Sequence, residues 1–240
     1  KIGGPAVAYK REWAHDFIAQ LKAPLDFFSW HCYANTIYEM KSRADYYRKL
    51  LDSHGFINTE SILNEWNYVR GWMNDDFIYT VKNIKGIKGA AFTSGAMCLG
   101  QNGNIDMLMY YDARPCAFNG MFNTDVVSEK LKGYYPFLMF NDLYKLKTAV
   151  RAETDCEELF SCAASGDDEL DIMIAYFDDN DDAPKKEITV SVENFSDNAV
   201  AEIYLLDEVH DAELVGTEKV NCSLKLDMPL YGTYLIKLHK

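Results

Sequence analysis

The chain has 240 residues, 48% of them hydrophobic, with 24 basic against 37 acidic side chains and a formal net charge of −13. That length can bury one large core or two ordinary ones. The acidity argues against nucleic acid or an anionic membrane as partner, since both need clustered Lys and Arg, and no stretch reaches the roughly 18 uncharged apolar residues of a membrane helix.

Six cysteines, Cys32, Cys98, Cys116, Cys156, Cys162 and Cys222, lie far apart with no C-x-x-C pair and no His-rich neighbourhood. They read as free, mostly buried thiols rather than disulfides or zinc ligands. The chain starts at Lys1 and opens on a strand-like run, so any signal peptide is expected upstream of it. The compartment stays open, with a lean towards the cytoplasm.

In chain order, "KIGGPAVA" (1–8) predicts a strand, and Trp13, Phe17 and Leu21 recur at helical spacing after it. "PLDFFSWHCY" (24–33) is a second strand, followed by Thr36-x-x-Glu39, a capping box opening a helix that Ile37, Met40, Tyr47 and Leu51 carry to His54-Gly55. "SILNEWN" (61–67) is the third strand. A helix from about Asp75 places Phe77, Val81, Ile84 and Lys88 on one stripe, and "GAAFTSGAM" (89–97) reads as a fourth strand. A loop rich in Asn, Gly, Tyr and Asp fills about 99–130, and "YYPFLMFNDLYKL" (134–146) is a last helix. Strands too apolar to face water, alternating with helices, indicate a parallel sheet covered by helices.

From about Thr148 the period changes to two, in "LDIMIAYF", "KEITVSV", "AEIYLLD" and "LYGTYLIKL", with Asp178 to Pro184 the clearest turn cluster. Residues 148–240 are expected to form an antiparallel β-sandwich beside the α/β unit of residues 1–147.

The short polar signals fall at strand ends. Gly3-Gly4-Pro5-Ala6 follows the first strand, His31-x-Tyr33 ends the second, Asn64-Glu65-Trp66 ends the third, and "MYYDARP" (109–115) lies after the fourth. The glycines fit no phosphate-loop spacing, and no cofactor or metal is expected. In this order the motifs resemble the second half of retaining β-glycosidases of the clan that includes the β-xylosidases of glycoside hydrolase family 39 and related arabinofuranosidases. The resemblance implies the fifth to eighth strands of a (β/α)8 TIM barrel followed by a β-sandwich. It also implies that Glu65 is the nucleophile, Tyr33 its hydrogen-bonding partner, and His31 an orienting group or sugar contact.

Asn64, Trp66, Asn67, Trp30 and Tyr111 are the expected substrate-binding residues, with Trp30, Trp66 and Trp72 as candidate stacking platforms for sugar rings. Bland readings stand beside these. Glu65 could be tied to Arg70, Tyr33 could be core, and Asp112-Ala113-Arg114-Pro115 could be a salt-bridged turn, with Asp106 and Tyr110 on the same loop. The general acid/base, which by resemblance follows an Asn on the fourth barrel strand, is expected to be absent. The chain alone is therefore expected to be inactive, with a carbohydrate substrate and, as partner, the missing N-terminal half-barrel or a second copy. The rival function is a catalytically silent carbohydrate-binding or assembly module.

Overall fold

The computed structural model describes residues 1–195, 199–221 and 223–240, so Cys222 lies outside the described residues. Strand β1 (Gly3–Val7), helix α1 (Arg11–Gln20), strand β2 (Phe27–Ala34), helix α2 (Ile37–Ser53) and strand β3 (Glu60–Tyr68) follow one another as the alternating pattern demands. With strand β4 (Met107–Tyr110) they make a four-stranded parallel sheet in the order β1-β2-β3-β4. Side chains alternate across its faces. Phe28, Trp30 and Cys32 are buried on the helical side, where Phe28 and Trp30 lie 5.2 and 5.4 Å from the Tyr47 ring of α2. Phe27, His31 and Tyr33 stay partly exposed on the other.

Two local expectations change in detail. Helix α1 buries Ala14 and Ile18, while Trp13 stays exposed and stacks on Phe17 at 5.4 Å. The Thr36–Glu39 capping box does not close, because Thr36 makes no side-chain cap bond and Glu39 is taken by Arg43 at 2.7 Å and Arg11 at 3.5 Å. A charge-assisted pair outcompetes a neutral cap.

The second part holds strands β5 (Thr148–Val150), β6 (Leu159–Ser165), β7 (Glu169–Tyr176), β8 (Lys186–Ser191), β9 (Ala199–Leu206), β10 (Asp211–Val220), β11 (Ser223–Met228) and β12 (Thr233–His239). Six form an antiparallel sheet, β10-β9-β12-β7-β6-β5, and β8 pairs with β11. Ile188, Leu224 and Met228 of the small sheet share one core with Leu159, Ile172, Ile174 and Ile236 of the large one. Strand β7 is buried along nearly its whole length because Met173 belongs to the other core, under the helices.

The stretch 89–97 is not a strand. After helix α3 (Asn74–Asn83), helix α4 (Ile87–Gln101) runs through it, and the fourth strand is β4, inside what reads as loop in the sequence. Twelve of the residues of α4 are buried all round, including Gly89, Ala90, Ala91 and Gly95. Such a helix has no polar face, so its pattern imitates a buried strand. A Cβ on Gly95 would come within 2.5 Å of Ile37 and 3.0 Å of Phe160, so the missing side chain lets α4 sit tightly between α2 and β6. Across this seam the Cys98 and Cys162 sulfurs lie 3.3 Å apart as free thiols. Helix α5 (Tyr135–Leu146) closes the first part, with Pro136 in its first turn. No described helix is long and apolar enough to cross a membrane.

Candidate active site

The carboxyl end of β3 is shaped by one extra residue. Trp30 pairs with Leu63, but the next pair is His31 with Glu65, so Asn64 is inserted; β4 meets the same insertion between Leu63 and Trp66. An unbroken register would place residue 64 beside His31 and turn residue 65 towards the helices. The bulge re-aims Glu65 to the face that carries His31 and Tyr33.

There the Tyr33 hydroxyl donates to Glu65 Oε1 at 2.6 Å, and His31 Nδ1 lies 2.8 Å from Oε2. The Glu65 and His31 side chains are 25% and 20% exposed, so the carboxylate is held yet reachable. Burial, then the hydrogen bond to Glu65 and that residue's charge, push the Tyr33 phenol above its usual range. Tyr33 therefore stays protonated and remains a donor.

Arg43 supports the site from beneath. Its Nη1 donates to the carbonyls of Ala8 at 2.9 Å and His31 at 3.0 Å, which ties the ends of β1 and β2 together. In the sequence it is one more helix cation, and nothing local marks it.

The expected site residues separate into two groups. Glu65, His31 and Tyr33 converge, and Tyr111, 42% exposed, follows β4 at the same end. Asn64 is partly exposed, with its buried Oδ1 unpartnered. Trp30 and Trp66 must be corrected, because both are fully buried and offer no ring face to a ligand. Trp30 Nε1 donates to Ser61 at 3.0 Å and Trp66 meets Tyr110 edge-on at 5.4 Å, since alternation sends Trp30, and alternation past the Asn64 bulge sends Trp66, to the helical face. Asn67 is likewise buried, donating to the Tyr111 carbonyl at 2.9 Å and accepting from the Tyr68 amide at 2.8 Å, so its side chain anchors the loop after β4.

Trp72 is the exposed tryptophan beside the site. It meets Tyr33 edge-on at 5.2 Å and stacks on Phe118 at 5.8 Å, which in turn stacks on Phe77 at 5.9 Å. Phe118 and Phe77 carry no motif, and their place in this ladder was not legible. Asp106 accepts from the Ser61 amide at 2.7 Å, at the opposite end of β3, and so lies away from the site. Asp112 accepts from the Arg114 amide at 2.9 Å and lies 3.5 Å from its guanidinium, which makes the salt-bridged turn. Arg70 pairs with Asp179 and not with Glu65. Among the described residues no group of three or more His, Cys, Asp and Glu could hold a metal ion.

No protein-family profile matches the sequence, and no curated protein matches it. Solved structures do. The fold is similar to a glucosidase from Croceicoccus marinus, with 18% identity and a TM-score of 0.75 over all of this chain and 60% of that one. It is similar to an α-L-arabinofuranosidase from Thermotoga maritima, at 13% identity and TM-score 0.71, over 98% of this chain and 57% of that one. A family 39 β-xylosidase from Caulobacter crescentus matches at 14% identity and TM-score 0.69, over all of this chain and 57% of that one. The chain spans between 57 and 60% of the length of these structures. At such identities the likeness is one of fold, and the resemblance that the strand-end motifs carry to these glycoside hydrolases is met at that level.

Proposed function

We propose that the chain is the nucleophile-bearing part of a retaining glycoside hydrolase acting on β-glycosides such as β-xylosides. Residues 1–147 are then the C-terminal half of a (β/α)8 barrel and residues 148–240 its β-sandwich. The observation that carries this reading is the bulge-set Glu65, at the carboxyl end of a parallel strand, with its two oxygens beside Tyr33 Oη and His31 Nδ1.

In this reading a Glu65 oxygen attacks the anomeric carbon as the bond to the leaving oxygen breaks, and the resulting glycosyl ester is later opened by water. Tyr33 and His31 hold the carboxylate in line for attack. Tyr111 and Trp72 border the sugar. The leaving oxygen takes its proton from a second carboxyl group about 5 Å from the first, supplied by residues outside these 240. The exposed inner face of β4, with Met107 47% and Met109 44% exposed, supports a covering partner, as do β1 and β4, each hydrogen-bonded along one side only.

The test is covalent labelling of a form extended by about 200 residues upstream, enough to complete a barrel of usual size, with a 2-fluoro-β-xyloside carrying a dinitrophenyl leaving group. A glycosyl adduct on the peptide containing Glu65, lost in Glu65→Gln, is the expected result. Sugar binding without any adduct would favour the silent binding module.

A further inference from the structure

A second carboxylate reaches the same two strand ends from the antiparallel part. In the 178–184 segment after β7, the Asp179 side chain accepts from Asn35 Nδ2 at 2.8 Å, Tyr68 Oη at 2.7 Å and Arg70 Nε at 3.1 Å, with Lys88 Nζ also at 3.1 Å. Its backbone carbonyl takes two further bonds, from Arg70 Nη2 and Lys88 Nζ, both at 2.7 Å. Burial opposes the Asp179 charge, but the donors Tyr68, Asn35, Arg70 and Lys88 outweigh it and hold the carboxyl below its usual range. Asp181 completes the cluster, bonded to Lys88 at 2.8 Å, Tyr231 at 2.6 Å and Tyr79 at 2.5 Å.

The placement in the chain gives the cluster its meaning. Asn35 lies just past Tyr33 at the end of β2, and Tyr68 and Arg70 lie just past Glu65 at the end of β3. One side chain therefore spans the ends of the two strands whose residues meet in the Tyr33–Glu65 bond. Strand ends open most easily in a sheet, and a hydrogen bond of 2.6 Å weakens with a displacement of a few tenths of an ångström.

We propose that Asp179 is a positioning residue for the Glu65 site: by clamping Asn35 to Tyr68 and Arg70 it fixes the separation of the strand ends that carry Tyr33 and Glu65. The antiparallel unit is then part of the framework of the site and not a freely appended module. The clamp stands on geometry alone, and only its consequence for turnover rests on the glycosidase reading.

Amide hydrogen exchange on the 240-residue chain tests the clamp. Asp179→Ala is compared with wild type and with Asp142→Ala, which breaks ion pairs to Lys145 and Lys237 elsewhere. Asp179→Ala should speed exchange about tenfold in peptides covering 31–35 and 65–70 while β6 and β12 stay protected, and Asp142→Ala should spare those two peptides. Uniform acceleration everywhere, or none at those peptides, overturns the clamp. Should Asp179→Ala not fold, Asn35→Ala, which removes one donor, is read the same way.

In the extended form, Asp179→Asn should lower kcat about tenfold with KM little changed. An unchanged kcat beside faster exchange overturns the positioning role. An extended wild type that neither turns over nor labels ends the glycosidase reading, while the exchange result still decides the clamp.

Discussion

Glu65 and Asp179 are both carboxylates at the ends of β2 and β3, and their side chains are almost equally exposed, 25% and 24%. Their partners differ. Asp179 is bound by two permanent cations, Arg70 and Lys88, together with a phenol and an amide. Glu65 is bound by a phenol that stays neutral and by an imidazole. A carboxylate neutralised by fixed cations has little charge left to offer and serves as a structural tie. In the proposed reading, one held only by a neutral donor and a histidine keeps charge for a positive centre that develops beside it.

The largest effect that would break or sharpen this contrast lies under Asp179. Lys88 is 2% exposed and binds both Asp179 and Asp181, so Lys88→Met should cost about 2 kcal/mol in urea unfolding, less than for a fully buried pair because the two carboxylates are 24% and 52% exposed. Glu65→Gln should change stability by less than about 0.5 kcal/mol, because functional groups are rarely placed for stability. Equal costs would erase the distinction between tie and site.

A third carboxylate extends the comparison to one with too few partners. Asp171 is 1% exposed, neither oxygen has a hydrogen bond, and the nearest cation, Lys237, is 3.9 Å away. Burial is the main cause of a rise from 3.8 to about 7, with Lys237 opposing it and the neighbouring Glu169 carboxylate adding to it. Because the folded value lies above the unfolded one, the contribution of the neutral acid is present below about pH 4 and lost as pH rises through about 7. Asp171→Asn should therefore stabilise the protein by about 2 kcal/mol more at pH 8 than at pH 5, measured by urea unfolding at each pH. A pH-independent difference would mean that Lys237 neutralises Asp171 after all.

Two phenols give the next contrast. Tyr68→Phe should cost roughly 1 to 2 kcal/mol, since it strips a donor from partly buried, charged Asp179. Tyr33→Phe should cost less than about 1 kcal/mol yet slow adduct formation at Glu65 in the extended form about tenfold. The reverse pattern would exchange the roles of the two carboxylates. The smallest effect belongs to the aromatic ladder: Trp72→Phe should cost about 1 kcal/mol or less. It should also shift mean tryptophan emission to the blue, because Trp30 and Trp66 are fully buried while Trp72 is 46% exposed, which leaves Trp13, at 49%, the one exposed tryptophan. An unshifted spectrum would mean that Trp72 is shielded from water and borders no open site.

Much of the parallel part was legible because its strands and amphipathic helices have clear periods. The stretch 89–97 was misread because a helix packed on every side loses its polar face, and β4 was missed because four residues are too few to show a period. In the antiparallel part β7, β8, β9 and β12 announce themselves, whereas β6, β10 and β11 do not. The polar alternation of β10 is weak, with all but one of its ten residues at least partly exposed.

The sequence by itself determined that Glu65 stands at a strand end, that His31 and Tyr33 share one face of their own strand two residues apart, and that the period changes near Thr148. Those are local properties, set by side-chain alternation and turn chemistry. Tertiary structure decided which face Glu65 takes, because the insertion of Asn64 is a matter of register between strands and leaves no mark in one strand alone. It also decided that Trp30 and Trp66 belong to the core and that Trp72 stays exposed beside Tyr33. The tie from Asp179 to Asn35 and Tyr68 joins residues 144 and 111 positions apart. Contacts at that separation exist only once the helices and the parallel and antiparallel parts have packed, and no local pattern encodes them.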